Sequence, residues 1–252
     1  MYETTLSVPT DSKYILQQIE ENLRLPLSQA KATVACSWQG SRNYMSVACA
    51  DIYKSLVFDA VANAVADSLS VGYKKRYIKQ LLAVKNGSFF QNVLVNVICV
   101  FDTVKDKQAV LSLIKNEEQI CLDGYYNFRM RDIKRKWLEL TTLVGANRYV
   151  LEDDELVLEF LQYLNDSVSN SVGEISLVFS GDNFFLFDKD NKLLPVLQTQ
   201  SDGSEEDLDV QAAVNLVCMK PAKVNVYCAK TPDKNFRRLL DELFVATYTI
   251  VE

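Results

Sequence analysis

Histidine is missing from all 252 residues. That removes the commonest general base and the commonest metal ligand, so a Ser-His-Asp triad, a Cys-His pair and a His-ligated zinc site are all excluded. Glycine is scarce: the eight glycines never come closer than eight residues apart, so the closely spaced glycines of P-loop and Rossmann phosphate cradles are absent. No G-x-S-x-G elbow occurs, and a serine nucleophile would need a lysine base for which no spacing signal exists. The six cysteines, Cys36, Cys49, Cys99, Cys121, Cys218 and Cys228, form no C-x-x-C pair and follow no secretory signal. They read as reduced thiols of a cytoplasmic protein. Long apolar runs are missing too: Phe89 to Phe101 is the longest, and Gln91, Asn92 and Asn96 interrupt it, so membrane insertion is not expected.

What is present is an ordinary folded composition, 48% hydrophobic and 24% charged, with a net charge of -6. The charge divides as +2 before Gln119 and -8 from it onward. A protein so acidic does not coat nucleic acid or anionic lipid as a whole; binding of that kind needs a local patch.

Periodicity places the elements. Tyr2 to Val8, Lys31 to Trp38 and Asn43 to Ala50 read as strands, the last two joined around Gly40, with a helix after Pro9 carrying Tyr14, Ile15, Ile19 and Leu23 on one side. A long helix follows, with Ile52, Leu56, Val57, Val61, Val65 and Leu69 along one face. Gly72 breaks it before a helix whose seam is Tyr73, Tyr77 and Leu81, with Lys74, Lys75, Arg76 and Lys79 turned elsewhere. Ser88 to Val100 fits a buried helix or a strand, because its apolar residues favour neither period cleanly, and is read as helix; Thr103 to Lys115 reads as an amphipathic helix carrying Val104, Val110, Leu111 and Ile114. Further on, Glu152 to Glu155 suit a helix start before Val157, Leu161, Leu164 and Val168. Glu174 to Ser180 and Asn183 to Asp188 form a hairpin about Gly181-Asp182, and Gln198 to Ser204 is a loop. A helix capped by Ser204 and Asp207, a strand at Lys223 to Cys228, a helix to Leu243 and a strand from Val245 complete the chain. The expected fold is α+β: an N-terminal β-α-β-β, a helical middle and a C-terminal β-β-α-β-α-β. The expected division is an N-terminal region, 1–118, and a second α+β region, 119–252, which could also form one compact unit.

Three features carry candidate chemistry. Counting 100° per residue from Tyr126 puts Met130, Ile133, Trp137, Leu140 and Val144 on one face, which predicts a core helix over Tyr126 to Val144. Phe128 points the opposite way, so either the helix begins after it or this end packs on two sides and constrains Arg129. Along the same stretch Arg129, Arg131, Lys134, Arg135 and Lys136 face a single acid, Asp132, a local charge of +4. Arg129, Arg131, Lys134 and Arg135 are therefore the candidate anion-binding residues, because guanidinium forks match phosphate oxygens. A solvated helix face with i,i+4 pairs, or an acidic protein partner, explains the same charges. Finally, Asp182, Asp188, Asp190 and Asn191 could hold a hard cation. The EF-hand pattern fails, since Leu193 and Thr199 stand at its sixth and twelfth positions, and Asp and Asn in tight turns bond their own backbone without metal. No catalytic residue, cofactor or metal ligand is assigned from these patterns.

An ordered set of short motifs carries a resemblance. Asp123-Gly124, Phe128-Arg129-Met130, Phe160-Leu161-Gln162-Tyr163-Leu164, Phe185-Leu186-Phe187-Asp188 and Pro221-Ala222-Lys223-Val224 look like the landmarks of the YtxC-like family of sporulation proteins. The likeness spans Cys121 to Val251, and Tyr125, Met130 and Ile133 stand where that family would carry Phe, Leu and Tyr. The resemblance implies a cytoplasmic protein of a spore-forming bacterium and supplies no catalytic residue. The function expected is therefore a non-enzymatic sporulation protein acting through an unidentified protein partner. Nucleic-acid or phosphate binding through residues 129–136 is the first alternative, and a carboxylate-based metal-dependent enzyme the second.

Overall fold

Tyr2–Pro9 (β1) alternates Tyr2, Thr4, Leu6 and Val8 toward the interior, and that alternation sets the first sheet. A computed structural model describes residues 1–84, 87–100, 102–114, 117–145, 151–167, 172–197 and 208–251, apart from the side chains of 143–145. After β1 a 3₁₀ turn at Thr10–Ser12 leads into α1, Lys13–Gln29, which buries Ile15, Leu16, Ile19, Leu23 and Leu27. Thr33–Gln39 (β2) and Arg42–Cys49 (β3) pair antiparallel across Gly40, whose φ of 59° lies in the left-handed region that glycine tolerates. β3 also pairs antiparallel with β1, and Gln119–Cys121 (β4) joins β1 in parallel, so the sheet runs β2-β3-β1-β4.

Helices α2, Lys54–Asp67, α3, Lys74–Leu82, α4, Phe89–Val100, and α5, Thr103–Leu113, form the middle of the chain. Two compact units result, one built from Met1–Arg76 and Asp102–Trp137, the other from Tyr77–Phe101 and Leu138–Glu252. In the first, α1 packs on β1, β3 and α2, while α2 packs on α5.

The second unit carries α7, Asp154–Ser167, the hairpin of β5, Glu174–Ser180, and β6, Asn183–Asp188, then α8, Leu208–Met219, β7, Lys223–Cys228, α9, Lys234–Leu243, and β8, Val245–Ile250. Helix α6, Arg131–Gly145, precedes them and crosses the boundary between the units. Crossovers through α8 and α9 make β5-β7 and β7-β8 parallel, giving the order β6-β5-β7-β8. One face of this sheet, with Leu177, Leu186 and Val226, is buried with Phe90 and Leu94 of α4, Val157 and Leu161 of α7, Val214 of α8 and Phe236 of α9. The expected α+β order of elements is the one observed, and its strands form two mixed four-stranded sheets.

Three local expectations need correction. The stretch Tyr126 to Val144 is not one helix. A π-helical turn occupies Tyr125–Arg129, Met130 leaves helical geometry at φ -96° and ψ 25°, and the regular helix starts at Arg131. Phe128 accordingly precedes it and is 71% exposed. The seam expected for α3 is also out of phase. Ser68–Tyr73 winds as a π-helical turn with i→i+5 bonding, which turns less per residue than an α-helix, so a 100° count carried across it fails. Lys74, Lys75 and Ile78 turn inward instead, and Leu81 is 42% exposed. In α5, Asp106 is buried and Val104 exposed, the reverse of what polarity suggests. The predicted loop 198–204 and the cap at Ser204 and Asp207 lie outside the described residues.

Candidate functional site

The basic segment resolves into separate pairs. Arg129 donates to Glu117 and, at 3.2 Å, to the Tyr125 hydroxyl, and its guanidinium lies 4.6 Å from the Tyr125 ring centre. Tyr125 donates its own hydroxyl to Glu117. Burial pushes the Glu117 carboxyl up, but the Tyr125 hydroxyl and the Arg129 charge outweigh it and hold the group below its ordinary value. Arg135 pairs with Asp132 at 2.8 Å, one turn away. Lys134 Nζ sits 4.6 Å from the Tyr126 ring centre, and Arg131 is exposed. Among the four candidate anion-binding residues, Arg129 and Arg135 are matched by acids on this chain and Lys134 rests on an aromatic face. Their contacts are to different groups: Glu117 and Tyr125 for Arg129, Asp132 for Arg135 and the Tyr126 ring for Lys134.

A different arginine does gather partners. Arg42, at the start of β3, grips Asp123 as a fork, with Nη2 to Oδ1 at 2.6 Å and Nη1 to Oδ2 at 3.2 Å. The same Nη2 reaches Ser7 Oγ on β1 and Cys121 Sγ on β4, both at 3.1 Å, while the Cys121 thiol donates to Asp123 at 3.3 Å. The fork holds the Asp123 carboxyl below the usual carboxylate range against the upward push of burial. A Cβ on Gly124 would meet Cys121 Sγ at 3.1 Å, so glycine permits the close turn that aims Asp123 at Arg42. Each partner of Arg42 is a protein group. The cluster ties β1, β3 and β4 together at one end of the sheet, which is a locking role. Asp123 belongs to a motif visible in the sequence, but Arg42, 81 residues away, carries no local signal of its partnership.

The second basic cluster has an interior. Lys74 Nζ lies 2.8 Å from Asp106 Oδ2, which also accepts from Trp137 Nε1 at 2.9 Å, with Lys74 0% and Asp106 8% exposed in their side chains. This buried assembly joins α3, α5 and α6. Arg76 lies over the rings of Tyr14 and Tyr73, and the Tyr73 and Tyr126 rings are 4.9 Å apart.

The carboxylate turns hold their own backbone. Asp188 Oδ1 accepts the amides of Asp190 and Lys192, each at 2.9 Å, and Asn191 takes a φ of 58°. Among the described residues no group of three or more Cys, Asp or Glu is placed to hold a metal ion. Nearby, Ser176, Val178, Phe187, Asn191, Tyr227 and Val251 line an open depression of about 380 Å³, which brings no acid and base together.

No family model, curated protein or solved structure matches this chain. Function has to be read from the surface it presents. The feature that stands out is the outer edge of β2. Among the described residues β2 pairs on one side only, with β3. From Ala32 to Ser41 it carries no charge and no proline, the devices that usually guard an edge against another strand. Trp38, close to its end, is 69% exposed, and Cys36 is exposed as well. Alternation alone predicts the strand but not its place in the sheet, so the sequence gives no sign that this strand is an edge.

Proposed function

We propose that this chain is a non-enzymatic protein that works through protein contacts, and that the free edge of β2 is where such a contact is made. The observation that carries the reading is an unguarded, seven-residue edge strand with an exposed tryptophan. Main-chain groups of a bare edge pair with an added strand, and alternate side chains supply the selectivity. The absent histidine, which removes the commonest general base, supports the non-enzymatic side of it. The resemblance over Cys121 to Val251 supports setting these contacts in a sporulating bacterium. Six free thiols support a cytoplasmic setting. The test compares wild type with Val34→Pro as immobilised bait in extracts of sporulating cells. The expected result is a protein retained by wild type and lost from the variant; identical retention by both rejects β2 as the contact.

A second reading, phosphate or nucleic-acid binding, is favoured by one arrangement: Arg76 and Lys134, from the two basic clusters, lie on the faces of the neighbouring rings Tyr73 and Tyr126. Retention on heparin that weakens with salt, and weakens again in Arg76→Ala/Lys134→Ala, is expected of it. Flow-through at low salt rejects it.

A further inference from the structure

We propose that the partner at β2 is a second copy of this chain, paired antiparallel about a two-fold axis through Cys36, so that two four-stranded sheets continue into one of eight. The inference rests on reading β2 as a docking edge and names what docks there.

The direction of the backbone bonds decides which groups are free. The Thr5 amide donates to Glu118 O at 2.8 Å, so Thr5 faces β4. Bonding alternates along a strand, and Thr4 and Leu6 therefore face β3, where they oppose Val47 and Met45. The intervening β3 residues, Tyr44 and Ser46, then face β2, opposite Ser37 and Ala35. What remains directed outward along β2 is the N–H and C=O of Val34, Cys36 and Trp38.

Those three residues are self-complementary. With Cys36 opposite Cys36 of the other copy, Val34 meets Trp38 and Trp38 meets Val34. Every outward donor then finds an outward acceptor, as an isologous two-fold contact requires. A slip of one residue sets outward groups against groups already bonded to β3, and a slip of two leaves part of the outward set unmatched. Side chains agree with the register: Val34, Cys36 and Trp38 share one face, so the exposed indole covers the partner's valine across the strand. No like charges are opposed, because the strand is uncharged. The charged groups that act on the Cys36 thiol, Glu20 and Lys13 of α1, are one of each sign. In the other sheet the β6 edge is already engaged, with the Leu194 amide bonded to Leu186 O at 2.8 Å.

Light scattering on the purified full chain, coupled to size exclusion, tests this. The expected mass is twice 28.6 kDa for wild type. Cys36→Lys and Cys36→Glu, which set like charges across the axis, are each expected at the single-chain mass, with unchanged circular dichroism. An equimolar mixture of the two variants is expected to regain the doubled mass. Val34→Pro, whose amide points outward and leaves the β2-β3 ladder intact, is expected to be monomeric too, which covers the case of a charged variant that fails to fold. A monomeric wild type that still captures another protein through β2 overturns the second copy and leaves the docking edge standing. A dimer that persists in Cys36→Lys and Val34→Pro, and is lost instead when the β8 edge, which among the described residues also pairs on one side only, is altered, overturns the placement at β2. A monomeric wild type with no β2-dependent capture overturns both readings.

Discussion

Lys74 and Asp106 show how a buried charge in this protein can be expensive to disturb. Both are buried, and Asp106 also accepts from Trp137, so its carboxylate answers two donors at once. Removing it leaves an ammonium and an indole N–H without that acceptor. Asp106→Ala is expected to destabilise the protein by about 3–5 kcal/mol, measured as a lower urea midpoint at unchanged slope. Lys74→Met with Asp106→Leu should recover much of the loss, because two apolar side chains of similar volume remove both buried charges together. A single variant as stable as wild type would mean the pair adds nothing. Asp123 gives a different, pH-dependent signature. The Arg42 fork lowers its native value below the roughly 3.9 of a free aspartate, so its stabilisation is complete above that value and is lost as pH falls through the native one. Urea midpoints taken between pH 5.5 and 3 should fall more steeply for wild type than for Asp123→Asn, which starts lower at pH 5.5 and lacks that acid limb. Parallel curves would show that Asp123 does not contribute.

Elements differ in how openly the sequence declares them. Strands β5, β6 and β7 match their expected bounds because period-two alternation is interrupted sharply by Gly181-Asp182 and by Pro221. Helix α4 is the helical of the two readings, helix or buried strand, that the mixed apolar pattern of Ser88 to Val100 leaves open. What the periodicity misjudges is phase: the π-helical turns at Ser68–Tyr73 and Tyr125–Arg129 reset the wheel, so Lys74 and Lys75 read as solvent-facing and Tyr126 as the first core position. Arg42, which gathers Ser7, Cys121 and Asp123, is illegible in the sequence because its partners come from β1, β4 and the turn beyond it. The β2-β3 hairpin supplies the prediction at this scale. Gly40 has open space around its Cβ position, so a substitution there meets only backbone strain. Gly40→Ala should cost about 1–2 kcal/mol, read from thermal unfolding. Gly173→Ala, with equal space and a φ outside the left-handed region, should not be destabilising. Equal effects at both positions would show that the turn does not need its left-handed residue.

At the scale of the molecule, sequence order and spatial order part company. The first unit is assembled from two stretches of chain, and the later one, Asp102–Trp137, supplies α5, strand β4, the Asp123 partner of Arg42 and the Trp137 donor to Asp106. A fragment of residues 1–118 retains β1, β2 and β3 but lacks β4, so the β1 edge that pairs with Gln119–Cys121 opens to water. It also keeps Asp106 without Trp137, and Arg42 without the carboxylate that its fork grips. Each loss opens part of the same small core, and a domain of this size has only about 5–15 kcal/mol of net stability to absorb them. The fragment is expected to give no cooperative urea transition by circular dichroism, whereas a chain joining residues 1–76 through a short flexible linker to residues 102–137 is expected to give one. A sigmoidal transition from the 1–118 fragment, with a midpoint near that of the full chain, would show that β4, Asp123 and Trp137 are additions to a unit that is already complete without them.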